Sequence, residues 1–397
     1  MNVFLPIRKM MWLGMCVMLL SGCWDRVEVN DLALVVGTVV DKKENGNVEL
    51  AVELIIPQAA GGGSDMMGGG GDGGGAKTYV VAAEGADVAD AIRKLQEKLP
   101  RKIFWAHNMS VIFGERLLRE GIGGQLDFFD RYYATRKQYY VFAAKSPASA
   151  LLQATPPVGR SSGEVMLNLT KTEVGVEMTV KDVLQMLNSD AHAVILPWIE
   201  QNPAVPGEEE KQDTSLRVSG VAVLKKDKIV GRIDDTITRG VMWVRNKVKT
   251  AIVTVKPKGT KGKVSVELLE ADTKLVPSVT GGKWKMTVRI KTEGNVIQNT
   301  TDQEIDNPNV TKKLEKDIER DIQRVIMASL DQVQKGMKAD VFGFAEAFHR
   351  QYPDRWHKVK DRWDEVFPNV EVKVAPRVSI LRPGMTNESP VTEVKQP

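Results

Sequence analysis

The residue best suited to covalent chemistry is Cys23. It closes Leu20-Ser21-Gly22-Cys23, an aliphatic residue, two small ones and a thiol, directly after the apolar run 10–20 and the positive pair Arg8-Lys9. A thiol so placed can accept diacylglycerol, and small residues before it fit a peptidase cleft. The order reads as a bacterial lipobox ending a signal peptide over 1–22. The apolar run, 11 residues, is too short to cross a bilayer, which takes ~20. Cleavage between Gly22 and Cys23 leaves 375 of the 397 residues and discards Cys16, the other cysteine. With Cys23 acylated, no free thiol is left for redox chemistry, disulfides or a cysteine-built metal site. Two acyl chains hold a protein to a bilayer stably where one does not, so the expected place is the outer face of a membrane.

Other candidate chemistry is weaker. Gly159-Arg160-Ser161-Ser162-Gly163 matches the G-x-S-x-G pattern of a nucleophile elbow. An elbow needs a strand immediately before the serine, and Pro156-Pro157 forbids one, so the stretch reads as a polar loop. Of the four histidines, His107 falls in an apolar strand, where a partly buried position is expected, and His192 has no partner in view. Pro353 separates His349 from His357, which keeps them off one helical face at metal-ligand spacing. Residues 61–75 hold ten glycines in fifteen. Without a following Gly-Lys-Ser/Thr they form no phosphate loop and read as a flexible surface loop. No catalytic, cofactor-binding or metal-ligating residue is assigned. The formal charge of +4, from 55 basic and 51 acidic side chains, is too thin to argue for nucleic acid, which calls for a concentrated basic patch.

The elements that would position these residues read as α+β. In the N-terminal part, 23–200, Leu32–Val40 and Val48–Ile56 form a hairpin about Asn45-Gly46, with Glu49 and Glu53 on the polar face. Strands follow at 78–83, 103–113 and 139–144, and helices at 86–99 and 115–120. A proline-rich and acidic linker is expected at 201–214. The C-terminal part, 215–385, reads as strands at 218–224, 228–233, 236–244, 247–255, 263–271 and 283–293, an antiparallel pattern. Against it lies the long amphipathic helix 310–337. A second helix, 354–367, mixes basic and aromatic residues. Its charges balance, and Trp356, Val359, Trp363 and Phe367 share a face, so it is expected to dock on its own domain. A strand over 370–381 and a frayed tail, 386–397, end the chain.

Several of these segments together resemble the Ger(x)C family, the lipoprotein C subunits of bacterial spore germinant receptors. Gly22-Cys23-Trp24-Asp25 resembles the family's entry into the mature chain, and Arg101-Lys102-Ile103-Phe104-Trp105-Ala106-His107 is similar to its Arg-x-hydrophobic-Phe-Trp-x-His segment. Leu126-Asp127-Phe128-Phe129-Asp130-Arg131 and the hairpin about Gly220 to Gly231 follow in order. The C-terminal signature is matched by Ala339-Asp340-Val341-Phe342-Gly343-Phe344, His349-Arg350-Gln351-Tyr352-Pro353 and Trp356. Tyr132-Tyr133-Ala134-Thr135-Arg136 departs from an Asp-Pro-Glu-type stretch, and the glycine loop is expanded. The resemblance implies a non-enzymatic subunit on the outer face of the spore inner membrane, working with A-type and B-type polytopic membrane subunits. The alternative is a solute-binding lipoprotein delivering a small molecule to a transporter. The antiparallel run at 218–293 argues against it, because that class is built from two lobes of parallel-sheet units.

Overall fold

A computed structural model describes residues 31–55, 78–132, 134–135, 137–154, 161–171, 176–202, 215–269 and 271–382. The signal peptide with Gly22 and Cys23, the glycine loop at 61–75, most of the 201–214 stretch and the tail at 386–397 lie outside these residues. The architecture is α+β, with two sheets.

The first sheet starts from the expected hairpin of β1 (Leu32–Lys42) and β2 (Val48–Ile55), turned at Gly46 with its φ of 83°. β3 (Thr78–Gly85) extends it antiparallel. β4 (Lys102–Phe104) and β5 (Ser110–Gly114) both run parallel to β1, one along each half of it. The single strand expected at 103–113 is therefore two, separated by a tight turn at Trp105–His107. That turn buries Trp105 and offers its carbonyl to the Tyr139 hydroxyl at 2.6 Å. β6 (Tyr140–Ala144), β7 (Ala193–Gln201), β8 (Leu216–Lys225) and β9 (Lys228–Ile233) complete nine strands in the order β3-β2-β1-β5-β6-β7-β8-β9, with β4 beside β1. The stretch expected as a linker thus joins two neighbouring antiparallel strands, β7 and β8. Residues 216–233 belong to the first sheet.

Helices cover both faces. Along the chain these are α1 (Val88–Glu97), α2 (Glu115–Glu120), α3 (Gly123–Arg131), α4 (Ser162–Lys171) and α5 (Val180–Leu187). The apolar residues of α1, α2, α3 and α5 join the larger core on one face. Met166 of α4 and the short turn Ala148–Gln153 close the other. On that second face the alternation of β1 and β2 places three carboxylates, Asp41, Glu49 and Glu53, all buried. Glu49 and Glu53 lie opposite the apolar stripe of β2, as expected, and that face is covered. A buried carboxylate must be met by donors, and the covering segment supplies them. Asp41 accepts from the Ser146 hydroxyl at 2.7 Å and the Ala148 N–H at 3.0 Å. Glu49 accepts from the Ser149 hydroxyl at 3.3 Å and pairs with Lys43 at 2.7 Å. Glu53, 1% exposed, takes the N–H groups of Ser162 and Gly163, each at 3.1 Å, at the start of α4. Burial is the larger influence on Glu53 and raises its pKa, opposed by these two hydrogen bonds.

The second sheet holds β10 (Ala251–Val255), β11 (Val264–Leu268), β12 (Asp272–Thr280), β13 (Lys283–Asn299) and β14 (Glu371–Arg382). Its pairs are antiparallel except β13 with β14, which is parallel. The region expected as a strand at 236–244 is instead α6 (Asp235–Val244), whose first turn is capped by Asp234 accepting the Ile237 N–H at 2.8 Å. Its Gly240 lets α7 (Pro308–Ser329) approach, since a Cβ there would stand 1.9 Å from the Ser329 hydroxyl. The helix expected over 310–337 runs as α7 and then widens into a π-type turn over Leu330–Met337, ended by Lys338 at a φ of 53°. Two glutamates of α7 reach β14, Glu319 accepting from the Val378 N–H and Glu315 from that of Ile380. This satisfies donors that an edge strand would leave open. After α8 (Phe344–Gln351), the helix expected at 354–367 is broken into α9 (Pro353–Trp356), a tight turn at Lys360–Arg362 and α10 (Trp363–Val366).

The seam between β1 and α4 has no room for a side chain at Gly163, where a Cβ would lie 2.2 Å from the Val36 carbonyl oxygen. Gly163→Ala is expected to cost about 1–3 kcal/mol of stability, as overpacking does. Gly124→Ala, on α3 with nothing within 4 Å of the added Cβ, should gain a few tenths through its helix preference. Urea denaturation of both variants checks this, and equal effects would refute the close approach.

Candidate functional site

The serine of the G-x-S-x-G match is spent on structure. Ser161 is buried, and its hydroxyl accepts the N–H of Glu164 at 3.1 Å, capping the first turn of α4. The Ser162 hydroxyl donates to the carbonyls of Leu152 and Ala154, at 3.3 and 3.0 Å. Gly159 and Arg160 lie outside the described residues. No histidine is among the hydrogen-bond partners described for either hydroxyl, and the arrangement gives neither oxygen a base.

The histidines fall in three places. His107 is exposed at the end of the Trp105 turn, edge-on to Phe104, which corrects its expected partial burial. His192 is exposed too, its Nδ1 2.7 Å from the Leu187 carbonyl. His349 and His357 do meet, with ring centroids 5.6 Å apart, because the chain turns at Tyr352-Pro353 between α8 and α9. The Nδ1 of His349 lies 2.6 Å from Asp190, and its ring stacks on Trp356 at 5.8 Å. Among the described residues, no group of three or more histidine, cysteine or acidic side chains is placed to hold a metal. No helix among them is long and apolar enough to cross a membrane.

What sequence reasoning missed is a polar centre under the C-terminal signature. Asp340 is buried at the start of α8. Its Oδ1 accepts the N–H groups of Gly343 and Phe344, both at 3.1 Å. Its Oδ2 accepts that of Ala345 at 2.7 Å and the Trp363 indole N–H at 3.0 Å. Gly343 makes this possible with a φ of 83°. Around it pack Phe342, Phe344, Phe348, Trp356 and Trp363, with the two indoles edge-to-face at 5.0 Å. Both tryptophans of the basic-aromatic stretch are therefore core, as expected. Arg355 donates to the Val279 carbonyl and Lys225 pairs with Asp364.

Two charged neighbours complete the centre. Arg245 donates to the Val341 carbonyl at 2.6 Å, and burial lowers its pKa. Glu346 accepts the Ala191 N–H at 3.3 Å, joining α8 to the turn before β7. The pair of His349 and Asp190 makes the same connection. The signature is thus a joint between the two sheets, and its polar atoms face one another. A cavity of about 280 Å³ lies elsewhere on the seam, between α6, β8, β10 and β11, with Thr238, Met242 and Val248 on its wall.

Burial, and secondarily the nearby Glu346, raises the Asp340 pKa from 3.8 to about 6 against the pull of its four donors. Between those values the folded chain keeps a proton that the unfolded chain releases, so stability falls as pH rises through the window. The loss is about 3 kcal/mol by pH 7 at 1.36 kcal/mol per unit. Urea titrations from pH 3.5 to 7 should show this fall in the parent and a flatter profile in Asp340→Asn. Parallel profiles would remove Asp340 as its source.

Comparisons with known proteins bear on these same segments. Residues 25–201 match the family described as "Spore germination protein N-terminal domain". Residues 219–384 match "Spore germination B3/ GerAC like, C-terminal". Spore germination protein KC of Bacillus subtilis (strain 168) is 28% identical over 387 residues, covering 94% of each chain. Spore germination protein B3 of the same organism is 23% identical, covering 92% of this chain and 95% of that one. The crystal structure of the GerBC protein matches with a TM-score of 0.56 at 19% identity, over 89% of this chain and all of that one. The likeness to GerBC establishes a shared fold. With both halves matched in order, the chain belongs to the Ger(x)C family of spore germination proteins.

Proposed function

We propose that this chain is a lipid-anchored, non-enzymatic C subunit of a nutrient germinant receptor. It sits on the outer face of the spore inner membrane through acylated Cys23 and works by assembly with A-type and B-type polytopic subunits. The observation that carries the anchor is the order Leu20-Ser21-Gly22-Cys23 behind a short apolar run. The observation that carries the process is membership of the spore germination family.

Physical support comes from where the polar chemistry goes. Ser161 caps a helix, Asp340 gathers four donors and His349 holds Asp190, so these polar side chains are each engaged in joining elements. Such a protein acts through its surfaces. Lipid anchoring restricts it to the plane of its partners and raises their effective concentration without any new contact.

Cys23→Ala tests the anchor in the spore. The variant is expected to leave the membrane fraction and to lose nutrient-triggered germination while germination by a receptor-independent route persists. A variant that still fractionates with membranes and germinates normally overturns the anchoring role.

A further inference from the structure

We infer that the end of the first sheet where β1 begins is a membrane-facing facet that rests on the lipid headgroups. The inference depends on the anchor at Cys23 and goes beyond it by fixing which side of the protein faces the bilayer.

Tether length gives the first constraint. Nine peptide steps separate Cys23 from Leu32, and they reach at most ~32 Å even when fully extended. A chain of this size is about 50 Å across, so the tether cannot carry the start of β1 to the far side of the molecule. Strand register gives the second. Leu32 pairs with Lys102 and Leu34 with Phe104 on one side, and Leu34 with Ile55 on the other. Ile55 in turn pairs with Thr78, and Leu54 with Tyr79. The tether, Tyr79, Lys102 and Phe104 therefore share one end of the sheet.

The exposed chemistry of that end fits a bilayer interface. Tyr79 is 57% exposed and Phe104 36%. The other large exposed apolar side chains, such as Ile252, Ile297 and Leu381, belong to the second sheet or to elements beyond β8. Aromatic rings with one apolar and one wet side settle at headgroup depth. Lys102 is exposed and Arg101 half-buried beside it, and neither makes an ion pair among the described residues. Lys98 is exposed too but donates to the Ala82 carbonyl at 2.7 Å, further along β3. Residues 98–104 contain no carboxylate, whereas the tether itself carries Asp25, Glu28 and Asp31 against Arg26, so the basic side chains of this end come from 101–102. Basic side chains beside aromatic ones are attracted to anionic headgroups.

The cysteine count makes the test clean, because Cys23 is the only thiol of the processed chain. Full-length acylated protein carrying Tyr79→Cys, Phe104→Cys or, as a control, Leu381→Cys is labelled with an environment-sensitive fluorophore. It is then reconstituted on phosphatidylcholine/phosphatidylglycerol vesicles containing doxyl-labelled lipid. The expected result is a blue shift and several-fold stronger lipid quenching at 79 and 104 than at 381. Quenching at 79 and 104 no stronger than at 381 overturns the facet while leaving the anchor intact. Labels shielded from an aqueous quencher but untouched by doxyl lipid report cover by residues 56–77 and overturn it as well. Parent protein that labels at Cys23 and fails to float with vesicles overturns the anchor itself, and this facet with it.

Discussion

Burying a carboxylate costs several kcal/mol unless donors meet it, and this fold is arranged around four such carboxylates. Asp41, Glu49 and Glu53 stand on one face of the first sheet and hold residues 146–149 and 162–163 against it. Asp340 stands under the second half of the chain and collects the first turn of α8 and the indole of Trp363. At Glu53 and Asp340 the donors are mostly backbone N–H groups at the start of a helix, which have no partner within the helix. Asp41 and Glu49 also take the hydroxyls of Ser146 and Ser149. The acid and the helix start satisfy each other. The covering layers are positioned by this pairing as much as by apolar contact, which is less directional.

The same pairing accounts for where the polar candidates among the described residues go. A catalytic group needs a free lone pair or proton beside a substrate. Ser161, His349 and Asp340 each face another element of the protein instead. The residues of the C-terminal signature make a joint: Asp340 and Gly343 set the turn, the aromatics fill it, and Glu346 and His349 reach back toward Ala191 and Asp190. In the proposed subunit, acting by contact, an unyielding joint between two sheets would be a sensible use of polar atoms.

Much of the fold could be read in the residues, and the failures have physical causes. The β1–β2 hairpin declared itself through clean alternation and Asn45-Gly46, and α7 through its apolar stripe. Residues 235–244 misled because Ile237, Thr238, Val241 and Val244 favour strands by local preference, whereas the cap at Asp234 and the packing of Gly240 on α7 decide for a helix. β7 and β12 were hidden by Pro197 and Pro277. The first is accommodated at a shift in register and the second away from the sheet centre, on a strand that pairs only with β13. Alternation put Glu49 and Glu53 on one side of the hairpin, but it says nothing of what covers that side. The proposed lipobox is a feature a peptidase reads as sequence, and it lies outside the described residues. The centre at Asp340 was not legible in the chain, since its donors Trp363 and Ala345 come together only on folding.

The position of β1 has a mechanical consequence. It is the first of the described strands, and it is held on both sides, by β2 along its length and by β4 and β5 on the opposite edge. With Cys23 anchored as proposed, a pull between anchor and body would run along the strand axis. It would load the hydrogen bonds of both ladders in shear, many at once, instead of peeling them one at a time. A protein hung from a membrane by that strand would bear lateral drag or partner motion as a rigid body, passing displacement into the whole sheet.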